Sequence, residues 1–457
     1  MTGPPVDRGD IQGDILRAYG NDYDCTSYVF ISVGEAAEGR AWLKEVAQRV
    51  SSDESWTGPK PKTHLNVAFT HQGLLALGVP GRVAETFSEE FKQGMAGRAS
   101  LLGDLGESDP DRWDGDLGTG AAHVMLTVNG QTPEQTTAEL ERLDTEAEAA
   151  GLEVVHKEHA ALLEGAREHF GYADGFAQPA IEGINEQRAN GGGVPIPGGG
   201  WRPLALGEFI LGYPDEDSRD DPARLPNAPE DPLGRNGTYV VWRKLHQNVA
   251  LFRQVVQDAA QLYEDGDEEK LRAKVVGRWP NGTPLVSHPE RPLEPFDPTR
   301  PDSNDFRYAG PDPDGIRCPL GAHIRRSNPR DALGWEGRLS FRHRMIRRGM
   351  PYGRPLPPGA PDDKEPRGLV FVCFNASISR QFESVQVQWL NSGNIFGLGL
   401  DKDFILGDTA GTGKMTVFGR PPFFLAPQKA FVSTRGGEYL FAPGLTALRA
   451  IAEGVAS

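Results

Sequence analysis

The chain has 457 residues, of which 38% are hydrophobic and 25% are charged, so it is long enough for two or three domains with substantial cores. Its net charge of −16 argues against a general nucleic-acid-binding role, and its three cysteines are too few for a disulfide framework or a zinc site. No run of about 18 apolar residues predicts a membrane span and the N-terminus lacks a signal-peptide pattern, so we expect a cytoplasmic protein that binds neither nucleic acid nor membrane.

The N-terminal part alternates between strand and helix patterns. Alternating or β-branched stretches predict strands at 26–34, 64–70, 122–129 and 152–160. Amphipathic stretches predict helices at 35–50 and 132–149. The repeated strand–helix–strand order is typical of a ferredoxin-like α+β unit with an antiparallel sheet.

The same patterns return after a stretch from about 183 to 236 that is rich in glycine and proline and predicts a long surface loop. The later elements are predicted strands at 238–245, 368–377 and 435–444, and predicted helices at 246–263, 378–391 and 445–455. We therefore predict two related α+β halves, an N-terminal domain at 1–183 and a second domain at 184–457 that includes the loop-rich insertion.

An arginine-rich segment interrupts the acidic chain between residues 317 and 348. Arginine without lysine favours fork-shaped recognition of carboxylate or phosphate groups. Nine arginines lie in it: Arg317, Arg325, Arg326, Arg330, Arg338, Arg342, Arg344, Arg347 and Arg348. His323 follows two small residues, Gly321 and Ala322, which would let a bulky group approach its ring. From the residues alone, His323 is a core histidine, an ordinary partner for an acid, or a single axial ligand to a haem iron with arginines on the propionates.

A second unusual element is GYADG at 171–175, which holds one carboxylate, Asp174, between two glycines. Read alone, Asp174 either caps a turn or acts as an isolated acid–base group. Together with CPLGAHIRRSNPRD (318–331) and RRGMPYG (347–353), the element resembles the dye-decolourising peroxidase family. DIQGDIL, NVAFTHQGLLALG, QFESVQVQWLN and DKDFILG extend the resemblance over almost the whole chain, and the length resembles the longer bacterial and fungal-like members.

The resemblance implies two ferredoxin-like domains of the dimeric α+β barrel superfamily, with one haem b per chain in the C-terminal domain. It implies a monomeric or homodimeric peroxidase that reduces hydrogen peroxide and oxidises dyes, phenols or other small or bulky aromatic donors through the haem intermediate Compound I. The alternatives are a peroxide-dependent oxygenase or sulfoxidase, and a haem-binding protein without significant turnover.

On the distal side, the resemblance assigns Asp174 as the acid–base group and Arg347 as the residue that stabilises charge on the leaving oxygen. Arg344 and Arg348 are close enough in sequence to be confused with Arg347, and either is otherwise a surface or propionate residue. Some compact members carry an asparagine two residues after the arginine, whereas this chain has Gly349.

On the proximal side, the resemblance assigns His323 as the iron ligand. Its other ring nitrogen needs an acceptor, for which Asp403 is the matching acid and Asp401 is a nearby alternative. Arg325 is the candidate for a propionate.

Leu369 and Phe371 alternate along a predicted strand, so both point to one side. They resemble the apolar lid over the distal haem face, and their alternative interpretation is ordinary sheet core. With Asp174 and Phe176 they would form a dry pocket that admits peroxide and excludes bulky dyes. Trp389 is then either an oxidisable relay for such dyes or simply a packed aromatic.

Overall fold

Strands and helices alternate along the part of the chain that the computed structural model describes, residues 6–17, 22–175, 177–219, 226, 228–300, 303–407, 414–419 and 421–454. The strands are β1 Cys25–Ser32, β2 Thr63–Phe69, β3 Val124–Gly130, β4 Glu153–Ala161, β5 Val194–Pro195, β6 Trp201–Arg202, β7 Thr238–Gln247, β8 Ile346–Arg347, β9 Met350–Tyr352, β10 Gly368–Asn375, β11 Met415–Val417, β12 Phe423–Leu425 and β13 Val432–Ala442. The α-helices are α1 Gly13–Leu16, α2 Ala36–Ala47, α3 His71–Ala76, α4 Gly81–Ala84, α5 Glu89–Gly97, α6 Ala99–Leu102, α7 Pro133–Ala149, α8 Ala189–Gly192, α9 Val249–Ala260, α10 Glu268–Val276, α11 His323–Ser327, α12 Gly334–Phe341 and α13 Leu445–Glu453.

One antiparallel sheet contains the long strands of both predicted halves, in the order β4–β1–β3–β2–β13–β7–β10–β8, with β9 also paired to β10. If the strands of each half in this order are numbered along the chain, both halves show the same sheet order, 4–1–3–2. Helices follow the first and third strands of each half, as in a ferredoxin-like unit. The predicted α+β fold of two ferredoxin-like units is therefore confirmed, with the ends of elements shifted by a few residues.

The sheet curls until its two ends meet. In the middle, β2 pairs with β13 through Phe69 and Phe441, both fully buried. At the ends, β9 contacts β4, and Lys244 of β7 pairs with Glu158 of β4 while lying over the Tyr352 ring of β9, 5.0 Å from its centroid. Closure covers the sheet edges, which would otherwise present unpaired backbone groups, and it encloses an interior space.

The loop-rich stretch is mostly irregular, as predicted, but it contains the short elements α8, β5 and β6 and is not entirely on the surface. Phe209, Ile210 and Leu211 are fully buried in the main core. Glycine and proline prevent long regular elements there, but the apolar side chains are still buried away from water. The domain boundary between residues 183 and 184 stays a prediction.

The predicted helix at 378–391 is present as a π-helix, Ser379–Leu390. Its N–H groups bond to carbonyls five residues earlier, as in Glu383 N to Ile378 O (2.9 Å) and Asn391 N to Gln386 O (2.9 Å). Periodicity alone does not distinguish this wider helix from an α-helix, and π-helical turns occur frequently at functional sites.

No helix in the described ranges has the length and apolar character needed to cross a membrane. The cytoplasmic location and the monomeric or homodimeric state stay predictions.

Gly349 lies between β8 and β9, directly against the backbone of β10. A Cβ atom at this position would lie 2.5 Å from Val370 O and 3.2 Å from Phe371 Cα. The backbone therefore leaves no room for a side chain here, which gives a physical reason for glycine at the position where compact family members carry asparagine.

We expect Gly349→Ala to destabilise the chain by about 1–3 kcal/mol, because the atoms that must move belong to the β10 backbone. Gly34→Ala is the matched control, since its Cβ would meet no atom within 4 Å, and should change stability by less than about 0.5 kcal/mol. Urea unfolding of both variants measures the difference. Equal stability of the two variants would contradict this account of Gly349.

Candidate active site

His323 and Asp403 form the central contact of the site. His323 begins α11, and its Nδ1 lies 2.9 Å from Asp403 Oδ2. The other carboxylate oxygen, Oδ1, accepts the N–H groups of Ile405 (3.0 Å) and Leu406 (2.7 Å). An ionised carboxylate only accepts hydrogen bonds, so Nδ1 carries the proton and the lone pair of His323 lies on Nε2.

The alternative acid, Asp401, is committed elsewhere. Its Oδ2 accepts from Thr416 Oγ1 at 2.9 Å, and its Oδ1 pairs with Lys414 Nζ at 3.1 Å. The structure therefore places Asp403, and not Asp401, beside His323.

A buried arginine that sequence reasoning did not single out holds the Asp403 segment against the π-helix. Arg326 donates to Trp389 O (2.8 Å) at the end of that helix and to Asp401 O (2.6 Å). The Asp403 N–H also donates to Leu390 O at 2.7 Å. The only signal in the sequence was the run of arginines, which does not distinguish an arginine that binds carbonyls from one that binds a ligand.

Several charged groups around His323 shift its pKa. Burial acts to lower the pKa of His323, but the charge and hydrogen bond of Asp403 outweigh it and raise that pKa. Asp174 raises it further and Arg347 lowers it, so both groups lie within electrostatic reach of the ring. Burial alone would raise the pKa of Asp403, yet His323 and the Leu406 N–H lower it below its ordinary value.

The Gly-x-x-Asp-Gly element is a tight loop, as the sequence indicated. Gly171 and Gly175 have φ values of +95° and +92°, which side-chain-bearing residues rarely adopt. Asp174 is held by its backbone, through N–H to Ala166 O at 3.1 Å. Its exposed carboxylate makes no hydrogen bond to any residue that the structure describes, so the side chain does not cap the turn. Phe176 lies outside the described residues.

Arg347 is tied to the same loop. Its Nη2 donates to Ala177 O at 2.9 Å. Gln178 accepts the Arg347 N–H through Oε1 (3.0 Å) and donates to Arg347 O through Nε2 (2.8 Å). This two-way bond fixes the register between β8 and the Asp174 loop, and no pattern in the sequence indicated Gln178.

Asp174 and Arg347 line one cavity of about 890 Å³ that extends into the barrel interior. Apart from Val67, the residues of the long strands on its wall alternate along each strand and therefore share one face of the sheet. These are Thr26 and Tyr28 of β1, Asn66 and Ala68 of β2, Met125, Thr127 and Asn129 of β3, Val240 of β7, Val372 and Phe374 of β10 and Ala442 of β13.

Leu369 and Phe371 do not line this cavity. They alternate with Val372 and Phe374 on β10 and so face the other side of the sheet, where Phe371 packs 6.2 Å from Phe382 between ring centroids. The prediction that Leu369 and Phe371 share a pocket with Asp174 is wrong for this cavity. A contact of Leu369 and Phe371 with haem stays a prediction.

The structure corrects the interpretation of Arg325 as a propionate residue. Arg325 is 1% exposed, and both terminal nitrogens are occupied by Asp312, Cys318 O and Pro313 O. Arg344 is the better candidate. It is buried, and its Nη2 has no hydrogen-bond partner in the described part of the chain. Burial lowers the pKa of Arg344 to about 9, with Arg330 and Arg347 adding repulsion.

Trp389 is 2% exposed and packs edge-on against His343 at 4.9 Å, which agrees with a packed aromatic. A role of Trp389 as a relay for bulky dyes stays a prediction. A Cβ at Gly321 would make only an ordinary contact with the protein, 3.5 Å from Met415 Cγ. The expectation that Gly321 leaves room for a bulky group beside His323 stays a prediction.

Comparisons with known proteins agree with this geometry. A family model described as “DyP dimeric alpha+beta barrel domain” matches residues 10–162, and one described as “Dyp-type peroxidase, C-terminal” matches residues 214–395. The chain is 31% identical to “Multifunctional dye peroxidase DyP2” of Amycolatopsis sp., covering 97% of this chain and 95% of that protein. It is 30% identical to a dye-decolorizing peroxidase of Exidia glandulosa, covering 96% and 86%.

Solved structures give the same result. An ancestral D-type dye-decolorizing peroxidase has a TM-score of 0.81 and 28% identity, covering 98% of this chain and 99% of that one. A fungal DyP-type peroxidase from Auricularia auricula-judae, with a TM-score of 0.83 and 24% identity over 98% of this chain and all of that one, supports the fold. By sequence and by fold, the chain belongs to the dye-decolourising peroxidase family and is an oxidoreductase of the peroxidase class.

Proposed function

We propose that the chain binds one haem b through His323 and uses Asp174 and Arg347 to reduce hydrogen peroxide at the expense of dyes, phenols or other one-electron donors. The observation that carries this proposal is the arrangement of charges. A histidine with a carboxylate partner lies within electrostatic reach of an isolated carboxylate and an arginine that share one cavity.

The residues present fit haem, on which this family depends. The Asp403 contact leaves Nε2 of His323 as the free ligand atom and favours a strongly donating imidazole. Arg344 supplies a buried cation with an unsatisfied donor, which suits a propionate. Haem, when bound, supplies the iron through which electrons pass from donors to peroxide.

The chain's own contribution on the distal side is proton transfer and charge stabilisation. In the overall reaction one H₂O₂ takes up two electrons and two protons, the O–O bond breaks, and two waters form. The Asp174 carboxylate accepts the proton of one peroxide oxygen and returns it to the other, so that the departing oxygen leaves as water. The Arg347 guanidinium, held by Ala177 O and Gln178, stabilises the negative charge that develops on that oxygen.

Peroxide-dependent oxygenation or sulfoxidation is the second candidate. The cavity of about 890 Å³ beside Asp174 falls within the size range of small-molecule sites, so an organic molecule has room close to the distal residues. Oxygen-labelled peroxide separates the two functions, because only oxygenation transfers the label to the organic product.

We expect Asp174→Asn to slow the reaction of the chain with peroxide by about 10²–10⁴-fold, since the variant keeps the shape and removes the base. Asp116→Asn, at an exposed position outside the cavity, removes the same charge and should leave the rate unchanged. Stopped-flow mixing with peroxide measures both rates. Wild-type kinetics in Asp174→Asn would assign the step to Arg347 without a carboxylate base.

We expect Arg344→Met to weaken haem binding by about 10–100-fold, which corresponds to the loss of about 1.5–3 kcal/mol from a charged hydrogen bond. The haem-free variant should be at least as stable as the haem-free wild type, because an unpaired buried charge has been removed. Arg338→Met, at an exposed position of the same segment, is the control. Haem transfer to excess apomyoglobin measures retention, and equal transfer from all three proteins would remove Arg344 from the haem site.

A further inference from the structure

The cavity beside Asp174 connects solvent with the barrel interior, and the half-buried Asp14 is the least exposed of the acidic residues on its wall. The lining includes exposed residues such as Thr299, Arg300 and Asp22. It also includes buried polar strand residues such as Thr127. A cavity of this size with polar side chains on its wall accommodates hydrogen-bonded water, which conducts protons between groups that share it.

Asp14 belongs to the short helix α1, which is bonded to the distal arginine segment. Arg348 donates through Nε to Asp14 O (3.2 Å) and through Nη2 to Ile15 O (3.2 Å). Through Nη1 it also donates to Arg347 O at 3.2 Å. The backbone that carries Asp14 is therefore held to the backbone that carries Arg347, and both side chains line the same cavity.

The surroundings of Asp14 favour the protonated form of its carboxyl group. Burial raises the pKa of Asp14 from 3.8 to about 7, the charge of Arg348 opposes this rise, and Asp53 adds to it. Asp53 is itself paired with Arg8 at 2.7 Å. Tyr28 of β1 lines the same cavity, and burial raises the pKa of that phenol, with the Asp14 charge adding to the rise. A carboxyl group with a pKa of about 7 both releases and accepts protons readily near neutral pH.

We propose that Asp14 is a proton-exchange residue that passes protons between solvent and the distal pair of Asp174 and Arg347 through the barrel cavity. The proposal deepens the proposed peroxidase function and rests on it. With a phenol donor the balance is H₂O₂ + 2 ArOH → 2 H₂O + 2 ArO•, and each donor brings its own proton. With ferrocyanide the balance is H₂O₂ + 2 [Fe(CN)₆]⁴⁻ + 2 H⁺ → 2 H₂O + 2 [Fe(CN)₆]³⁻, so both protons must enter from solvent.

The first arm of the test measures the ionisation of Asp14 without using activity. Urea unfolding of the haem-loaded wild type and of Asp14→Asn is compared from pH 4 to pH 8. The unfolded chain ionises Asp14 near 3.8 and the folded chain near 7, so the folded state binds more protons between these values. The unfolding midpoint of wild type relative to Asp14→Asn should therefore fall as pH rises through this window and then level off. A difference that does not change with pH overturns the proposal.

The second arm measures turnover. With ferrocyanide, Asp14→Asn should turn over about tenfold more slowly than wild type near pH 7 and should lose the inflection of the wild-type pH profile at about 7. With a phenol the deficit should be smaller, and Asp116→Asn should match wild type with both donors. Equal loss with both donors, or no loss with either, overturns the proposal. Absence of peroxide turnover in wild type would instead contradict the proposed peroxidase function, so the two failures are distinguishable.

Discussion

The hydrogen bond between His323 Nδ1 and Asp403 Oδ2, at 2.9 Å, is the interaction on which the rest of the site depends. It fixes the tautomer and orientation of the imidazole and directs the free lone pair away from the carboxylate. Asp403 provides this contact because its second oxygen is saturated by backbone N–H groups and its own N–H is bound to Leu390 O. The orientation of His323 therefore depends, through Asp403, on the end of the π-helix, which Arg326 holds in place.

The distal groups depend on the barrel in a different way. Asp174 follows the N-terminal unit in the chain, whereas Arg347 belongs to a short strand of the C-terminal unit. The reciprocal bonds of Gln178 with the Arg347 backbone bring the two together, and the contact of β10 with Gly349 fixes the β8–β9 segment. A continuous, closed sheet gives these contacts a rigid frame. It also encloses the cavity that Asp174 and Arg347 line, through which we propose that protons reach them.

The long elements were predictable because their hydrophobic periodicity is strong and local. The order of strands in each half followed from two repeats of the same pattern. Periodicity alone did not show that the two units form one closed barrel, which only the family resemblance implied, because the decisive contacts, such as Phe69 with Phe441, join residues far apart in the chain. The burial of Phe209 to Leu211 was missed for a related reason: glycine and proline report backbone irregularity, not depth.

Within the site, the tight backbone around Asp174 was predictable, because the two glycines that flank it adopt left-handed backbone conformations. Arginines were the least predictable residues, because a guanidinium donates equally well to a carbonyl, a carboxylate or a ligand. Acceptors within the fold bind both terminal nitrogens of Arg325, whereas Nη2 of Arg344 has no partner in the described part of the chain. No sequence pattern distinguishes the two arginines. The two faces of β10 posed a similar problem, since alternation separates Leu369 and Phe371 from Val372 without indicating which face meets the cavity.

The proposed function depends most directly on His323 as the residue whose ring nitrogen binds the haem iron. The measurement is the absorption spectrum and haem content of purified His323→Ala, with and without added imidazole, beside wild type and His288→Ala as a histidine control. We expect wild type and His288→Ala to bind haem b and to show the spectrum of a five-coordinate or water-bound ferric haem. We expect His323→Ala to lose most of its haem, and added imidazole to restore part of the haem content by occupying the space left by the ring. Wild-type haem content and an unchanged spectrum in His323→Ala would contradict the assignment.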